Sequence, residues 1–140
     1  MIRKLAVLIA VLVAATPLLA TPEKDAVVRF FELREKTLDQ RGTPADVDRL
    51  LALLSDTVIY EHPNAGVVMN KDQARAGMLA HLNEGKDATY TLRHARFGKD
   101  FAVVEMTLDY TVEGKEMKRT GVFVFEFSGS KISRLAAYTN

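Results

Sequence analysis

Apolar residues recur at the spacing of a buried helix face in three stretches of the first half of the chain. Threonine followed by proline precedes two of these stretches, at Thr21 and Thr43, and Asn70 precedes the third, which is typical of helix N-caps. The pattern therefore predicts three helices, of which the first covers about residues 22–40. The apolar stripes are Val27, Phe30, Phe31 and Leu38; Val47, Leu50, Leu51 and Leu54; and Ala74, Met78, Leu79 and Leu82.

The second half of the chain changes to an alternation of polar and apolar residues. Short turns that contain glycine separate the alternating segments, which predicts an antiparallel meander. Three helices followed by such a sheet predict an α+β domain in which the helices cover one face of the sheet. The predicted strands are Thr89–Phe97, Phe101–Val112, Met117–Phe127 and Ile132–Thr139.

A further short strand is predicted between the second and third helices, at residues 55–63. The two-residue period of a strand places Val58, Tyr60 and His62 on one face. His62 precedes a proline, which favours an extended backbone. We therefore expect Tyr60 and His62 to project into the same space, where an imidazole could transfer a proton near neutral pH. The alternative is that both side chains form hydrogen bonds that only support the fold.

The first 20 residues have the composition of a secretory signal peptide. Arg3 and Lys4 precede an apolar run over residues 5–15, which is short for a membrane span, and small residues lead to a cut near Ala20. We expect a mature single domain of residues 21–140 that is periplasmic or secreted, with no stable membrane insertion after cleavage. An uncleaved N-terminal anchor is the alternative.

The composition excludes several classes of function. The 19 basic and 18 acidic residues give a net charge of +1, so the chain lacks the positive charge excess of nucleic-acid-binding proteins. It contains no cysteine, which excludes disulfides and thiolate chemistry. His62, His81 and His94 do not have the spacing of metal ligands, and no glycine-rich phosphate loop is present. We expect neither a metal nor a cofactor.

The order of these elements resembles the nuclear transport factor 2-like (NTF2-like) superfamily, and most of all its SnoaL-like and ketosteroid-isomerase-like proteins. The resemblance covers residues 22–140 and includes Leu53–Pro63 before the third helix and Lys131–Leu135 near the end. It implies a cone-shaped, curved, mostly antiparallel sheet wrapped around the three helices, with an apolar pocket open at one end. It also implies a homodimer through the convex sheet face, for which a solvated outer face is the alternative.

The resemblance to ketosteroid isomerases does not extend to the residues that carry their chemistry. Their general-base aspartate falls at His62, their oxyanion-binding tyrosine near Phe31 and their protonated carboxylic acid near Phe123. A histidine can transfer a proton, but phenylalanine donates no hydrogen bond to an enolate. We therefore expect no steroid isomerase activity by that mechanism.

The expected pocket combines apolar walls with a few polar groups. Arg134 and Tyr138 share a face of the last strand with Ile132 and Ala136. This face is either convex, with Arg134 an ordinary surface residue, or concave, and we expect it to be concave. Arg134 would then be a charge inside an apolar cavity, and it would need a carboxylate partner. The residues expected to line the pocket are Phe31, Val58, Tyr60, His62, Met106, Leu108, Tyr110, Phe123, Phe125 and Arg134.

Three functions remain open at this point. The first is a pocket protein that binds a small, largely apolar molecule without converting it. The second is a cofactor-independent lyase, isomerase or cyclase that uses His62 as general acid/base, with Tyr60 and either Arg134 or Asp109 assisting. The third is a dimeric association module with a vestigial cavity, which a cone filled by phenylalanine side chains would favour.

Overall fold

The computed structural model describes residues 21–140, so the predicted signal peptide lies outside the described residues. Within them, no helix is long and apolar enough to cross a membrane. The helices are α1 (Pro22–Leu38), α2 (Pro44–Leu51) and α3 (Lys71–Ala80). The strands are β1 (Leu54–His62), β2 (Val67–Met69), β3 (Lys86–Gly98), β4 (Phe101–Val112), β5 (Lys115–Ser128) and β6 (Lys131–Thr139), and a single 3-10 turn occupies Pro63–Ala65.

All three helices begin at the caps that the sequence predicts. The Thr43 and Asn70 side chains each form a reciprocal capping box with the residue three positions later, and Thr21 accepts a hydrogen bond from the Lys24 backbone N–H. The predicted end of α1 was two residues too late. Asp39 adopts an extended backbone with φ −64° and ψ 148°, which ends the helix after Leu38.

The six strands form one sheet in the order β2-β1-β6-β5-β4-β3. The predicted meander is confirmed, because β3, β4, β5 and β6 are consecutive antiparallel neighbours. Strand β1 joins its edge in parallel to β6, and β2 then pairs with β1. Strand β2, which has only three residues, was not predicted, and β3 begins at Lys86 rather than at the predicted Thr89.

The helices cover the inner face of the sheet, where an aromatic cluster fills the core. The ring centroids of Phe30 and Phe125 are 5.3 Å apart, and those of Phe31 and Phe123 are 5.2 Å apart, both nearly edge to face. All four rings are buried. The cluster joins α1 to β5 and fixes the position of the helix against the sheet.

A β-bulge in β6 overturns the predicted orientation of Arg134. Glu126 pairs with Arg134 and Phe127 with Ile132, so Ser133 is an extra residue in β6, and its hydroxyl donates to the Glu126 carbonyl at 3.2 Å. The bulge shifts the alternation, so Ile132 and Leu135 are buried while Arg134 lies on the outer face. The expectation that Arg134 shares the concave face with Ile132 was wrong, because a strict two-residue period does not hold across a bulge.

Candidate functional site

A cavity of about 380 Å³ lies between α1, α3 and the inner face of the sheet. Apolar side chains form most of its wall, and polar groups enter from α1, β1 and β3. The residues that line it are Arg34, Leu38, Tyr60, His62, Val67, Met69, Ala74, Gly77, Met78, His81, Glu84, Gly85, Tyr90, Met106, Leu108, Tyr110, Arg119, Phe123 and Thr139.

Strand β1 supplies Tyr60 and His62, as its alternation predicts. Their ring centroids are 5.0 Å apart, Tyr60 is buried and His62 is partly buried. The strand lies between β2 and β6 in the sheet. Tyr60 pairs with Met69 of β2 and Leu135 of β6, and His62 pairs with Val67 of β2, so pairing fixes the backbone positions of both residues. No carboxylate among residues 21–140 forms a hydrogen bond with His62, so the structure does not contain a carboxylate–histidine pair at this position.

Helix α1 supplies Arg34, one helical turn after Phe30 on the helix face that covers the sheet. The Arg34 Nε atom is buried and has no hydrogen-bond partner among the described residues. The next residue, Glu35, accepts a hydrogen bond from the Tyr90 backbone N–H at 2.6 Å and thereby ties α1 to β3. Tyr90 packs against Phe31 with ring centroids 5.0 Å apart. Neighbouring residues of α1 therefore hold both the helix and Tyr90 in place around the guanidinium.

The charge of Arg34 affects the ionisation of the groups around it. Burial disfavours the charged guanidinium, but the charges of ionised Tyr90 and Tyr60 and a side-chain hydrogen bond with Tyr90 favour it, and the pKa of Arg34 is raised above its usual value. Burial raises the pKa of the Tyr60 phenol, against the opposing effect of Arg34. Burial and then the Arg34 charge lower the pKa of His62, while the Ala137 backbone acts in the opposite direction. At neutral pH the cavity therefore contains a cation, a neutral imidazole and a protonated phenol.

The exposed lining residues mark the mouth of the cavity. His81 Nδ1 and Glu84 Oε2 are 2.9 Å apart, and both side chains are largely exposed. The Arg119 guanidinium carbon lies 5.8 Å from the centroid of the Tyr110 ring, a cation–π arrangement at the opening. Glu84 is the only acidic side chain among the described residues that line the cavity.

Six of the ten residues predicted to line the pocket do line the cavity: Tyr60, His62, Met106, Leu108, Tyr110 and Phe123. Phe31, Val58 and Phe125 are instead packed in the core behind the cavity wall, each less than 4% exposed. Arg134 lies outside, with Nη2 2.8 Å from Glu61 Oε2 and Nη1 3.4 Å from Glu126 Oε1. Asp109 is also exposed on the outer face and pairs with Lys118. Neither Arg134 nor Asp109 can therefore assist His62.

Arg34 was not predicted as a site residue, although the sequence contains a signal for it. Val27, Phe31, Arg34 and Leu38 follow one another at helical spacing along the buried stripe of α1. A charged residue at a core position of an amphipathic helix is unusual and indicates a partner or a cavity. Tyr90 and the α3 wall carry no comparable signal, because tyrosine, methionine and alanine are ordinary core residues.

Within residues 21–140, no three His, Asp or Glu side chains are close enough together to hold a metal ion. The polar side chains that line the cavity are instead two arginines, three tyrosines, two histidines, Glu84 and Thr139, which are groups that can form hydrogen bonds or ion pairs with an organic molecule. The arrangement resembles a small-molecule site, with an apolar wall and a few convergent polar groups.

The architecture defines the class of protein, an NTF2-like α+β cone fold, and solved structures share it. A putative SnoaL-like polyketide cyclase from Shewanella putrefaciens superposes with a TM-score of 0.70 at 8% identity, over 85% of this chain and 90% of that chain. A putative isomerase from Bacillus subtilis superposes with a TM-score of 0.70 at 14% identity, over 85% of this chain and 86% of that chain. An LEH-like epoxide hydrolase from Mycobacterium tuberculosis superposes with a TM-score of 0.69 at 15% identity, over 86% of this chain and 84% of that chain. Identities this low establish a shared fold alone.

The sequence itself identifies the family. The model of the SnoaL-like domain matches residues 27–135, and the chain belongs to the SnoaL-like domain family. No curated protein is similar enough in sequence to count as a match. The solved structures with this fold are named as a putative cyclase, a putative isomerase and an epoxide hydrolase, so the fold does not define a single activity.

Proposed function

We propose that this SnoaL-like domain binds a small, largely apolar molecule in the cavity between α1, α3 and the sheet. The observation that carries the proposal is a cavity of about 380 Å³ whose apolar walls surround Arg34, Tyr60 and His62. Ligand pockets typically measure about 300–1,000 Å³ and combine apolar walls with a few polar groups. This volume argues against an association module with a vestigial cavity, which would require phenylalanine side chains to fill the cone. The phenylalanine cluster lies mainly in the core and leaves the cavity open.

Native mass spectrometry tests this proposal on protein made from the full chain in its own host. We expect a small co-purifying molecule on the wild type, reduced on His62→Ala. His94→Ala is the matched control, since His94 is exposed on β3 and does not line the cavity. An empty wild-type protein, indistinguishable from His62→Ala, would contradict ligand binding.

A second candidate function is proton transfer on the bound molecule, as in a lyase, isomerase or cyclase. The neutral state of His62 favours it, because a neutral imidazole can accept a proton. The protonated Tyr60 hydroxyl, on the same face of β1, can donate a hydrogen bond to an oxygen that gains negative charge. In this scheme His62 removes a proton from a carbon next to a carbonyl group and returns it to the same or a neighbouring atom.

Solvent exchange distinguishes the two candidates. The co-purifying molecule is incubated with the protein in deuterium oxide, and proton NMR follows each carbon-bound hydrogen. If the protein is catalytic, we expect a carbon-bound hydrogen of the molecule to exchange with deuterium. His62→Ala should abolish this exchange, Tyr60→Phe should slow it, and His94→Ala should leave it unchanged. Bound ligand with no exchange and no product would leave binding as the function.

We also propose that the mature domain works as a homodimer outside the cytoplasm. An apolar patch on the outer face of the sheet supports the dimer: Val122 and Tyr138 are paired neighbours on β5 and β6, and both are exposed.

The apolar run and basic start of residues 1–20 support secretion. The intact mass of protein recovered from the host tests cleavage near Ala20.

A further inference from the structure

Arg34 presents a positive charge to the cavity without a negative partner. Its Nε is buried and unbonded among the described residues, and none of their carboxylates lies within 4.0 Å of the guanidinium. Glu35, the next residue of α1, accepts a hydrogen bond from the Tyr90 backbone at 2.6 Å, and Glu84, the acidic residue of the cavity lining, pairs with His81 at the exposed mouth.

A guanidinium in this position is costly unless an anion joins it. Arginine remains charged at any physiological pH, and a buried charge normally has a paired and hydrogen-bonded counter-ion. The Tyr60 and Tyr90 phenols around it can both donate hydrogen bonds. The inner part of the cavity is therefore complementary to a group that only accepts hydrogen bonds and carries negative charge.

We propose that the ligand is a small apolar carboxylic acid whose carboxylate binds Arg34. This inference rests on the proposed function, because it specifies the class of molecule that the same cavity takes. A planar carboxylate matches the paired donors of a guanidinium. The apolar body of the acid packs against Met78, Met106 and Leu108. A phosphate is less suitable, since the second arginine of the cavity, Arg119, lies at the mouth over Tyr110 rather than beside Arg34.

Matched pairs of probes that differ only in charge test the inference. Naphthylacetate is compared with naphthylacetamide, and decanoate with decanamide, by isothermal titration calorimetry near neutral pH on protein from the full chain. We expect each acid to bind wild type at least about tenfold more tightly than its amide, because a carboxylate–guanidinium pair adds charge-assisted hydrogen bonds.

Three variants locate the charge that recognises the acid. Arg34→Gln should abolish the preference for acid over amide, because it weakens binding of the acid more than binding of the amide. Arg29→Gln is the matched control, since it removes the same charge from an exposed position of α1 and should retain the preference. Arg119→Gln removes the charge at the mouth and should retain most of the preference.

The outcomes separate this inference from the proposed function. Equal binding of acid and amide to wild type, or a preference that survives Arg34→Gln, would overturn the inference and leave ligand binding intact. A preference lost in Arg119→Gln instead of Arg34→Gln would also overturn it. If no probe binds, the carboxylic acid is rejected, and an empty native mass spectrum would then reject the pocket function too.

Discussion

Replacing Arg34 with methionine should stabilise the free protein. Methionine keeps the length of the side chain and its contacts with the α1 stripe, but it removes a buried donor that has no partner among the described residues. An unsatisfied buried donor costs about 1–3 kcal/mol, and exchanging buried ionic groups for apolar ones of similar volume is often stabilising. Part of the Arg34 side chain still contacts the open cavity, so we expect the lower part of this range.

The expected gain in the free energy of unfolding is about 1–2 kcal/mol. For a domain of this size, each kcal/mol raises Tm by roughly 4 °C, so Tm should rise by about 4–8 °C. Urea unfolding followed by circular dichroism measures the free energy, and differential scanning calorimetry measures Tm. Arg29→Met is the matched control, because Arg29 and its partner Glu32 are both about half exposed and such surface pairs contribute little.

The reasoning would be refuted if Arg34→Met lowered the free energy of unfolding by more than about 1 kcal/mol while Arg29→Met left it unchanged. Such a loss is expected when one partner of a satisfied buried pair is removed, because the other partner is left buried and unpaired. Arg34 would then be held by groups of the protein and would not be available to a ligand. Decanoate provides a second check, because a ligand that binds only the native state raises its stability. It should raise Tm in the wild type and have little effect on Arg34→Met.

Three further predictions concern other parts of the molecule. By NMR titration, the pKa of His62 should lie below 6.5 and should rise in Arg34→Gln, because the charge of Arg34 contributes to lowering it. The unfolded chain then binds more protons than the folded one, so the contribution of His62 lowers the free energy of unfolding as the pH drops below about 6.5. His62→Gln should remove this contribution to the pH dependence. Thr43→Ala should lower the free energy of unfolding by about 1 kcal/mol in urea, because it removes the cap of α2 and its bond with Asp46. Val122→Lys should convert a dimer to a monomer in analytical ultracentrifugation, and a wild type that is already monomeric would contradict the proposed interface.

Most of the fold could be predicted because its signals are local. The caps at Thr21, Thr43 and Asn70 depend on side-chain bonds within four residues, and the alternation along β4 records directly which face is buried. Strand β2 could not be predicted, since three exposed or partly exposed residues carry no pattern, and its pairing with β1 is set by the turn at Pro63–Ala65.

The site was only partly predictable, for a different reason. Tyr60 and His62 were found because they lie on one regular strand. Arg134 was assigned to the wrong face, because the bulge at Ser133 depends on pairing with β5 and leaves no mark in the hydrophobic pattern. Arg34 was not predicted, because the resemblance to ketosteroid isomerases implies hydrogen-bond donors at the positions of Phe31 and Phe123 and none at position 34.

The bulge at Ser133 also bears on how this domain could acquire new specificities during evolution. Beyond it, alternate residues of β6 belong either to the inner wall, like Thr139, or to the outer surface, like Tyr138. Losing the extra residue should leave every later side chain on its present face, because the strand would simply become regular. Inserting one further residue at the same place, if it formed no bulge, would turn the later inward-facing side chains of β6 outward and the outward-facing ones inward. A single codon could thus alter the ligand chemistry and the subunit contact together, a larger step than any point substitution in the wall allows.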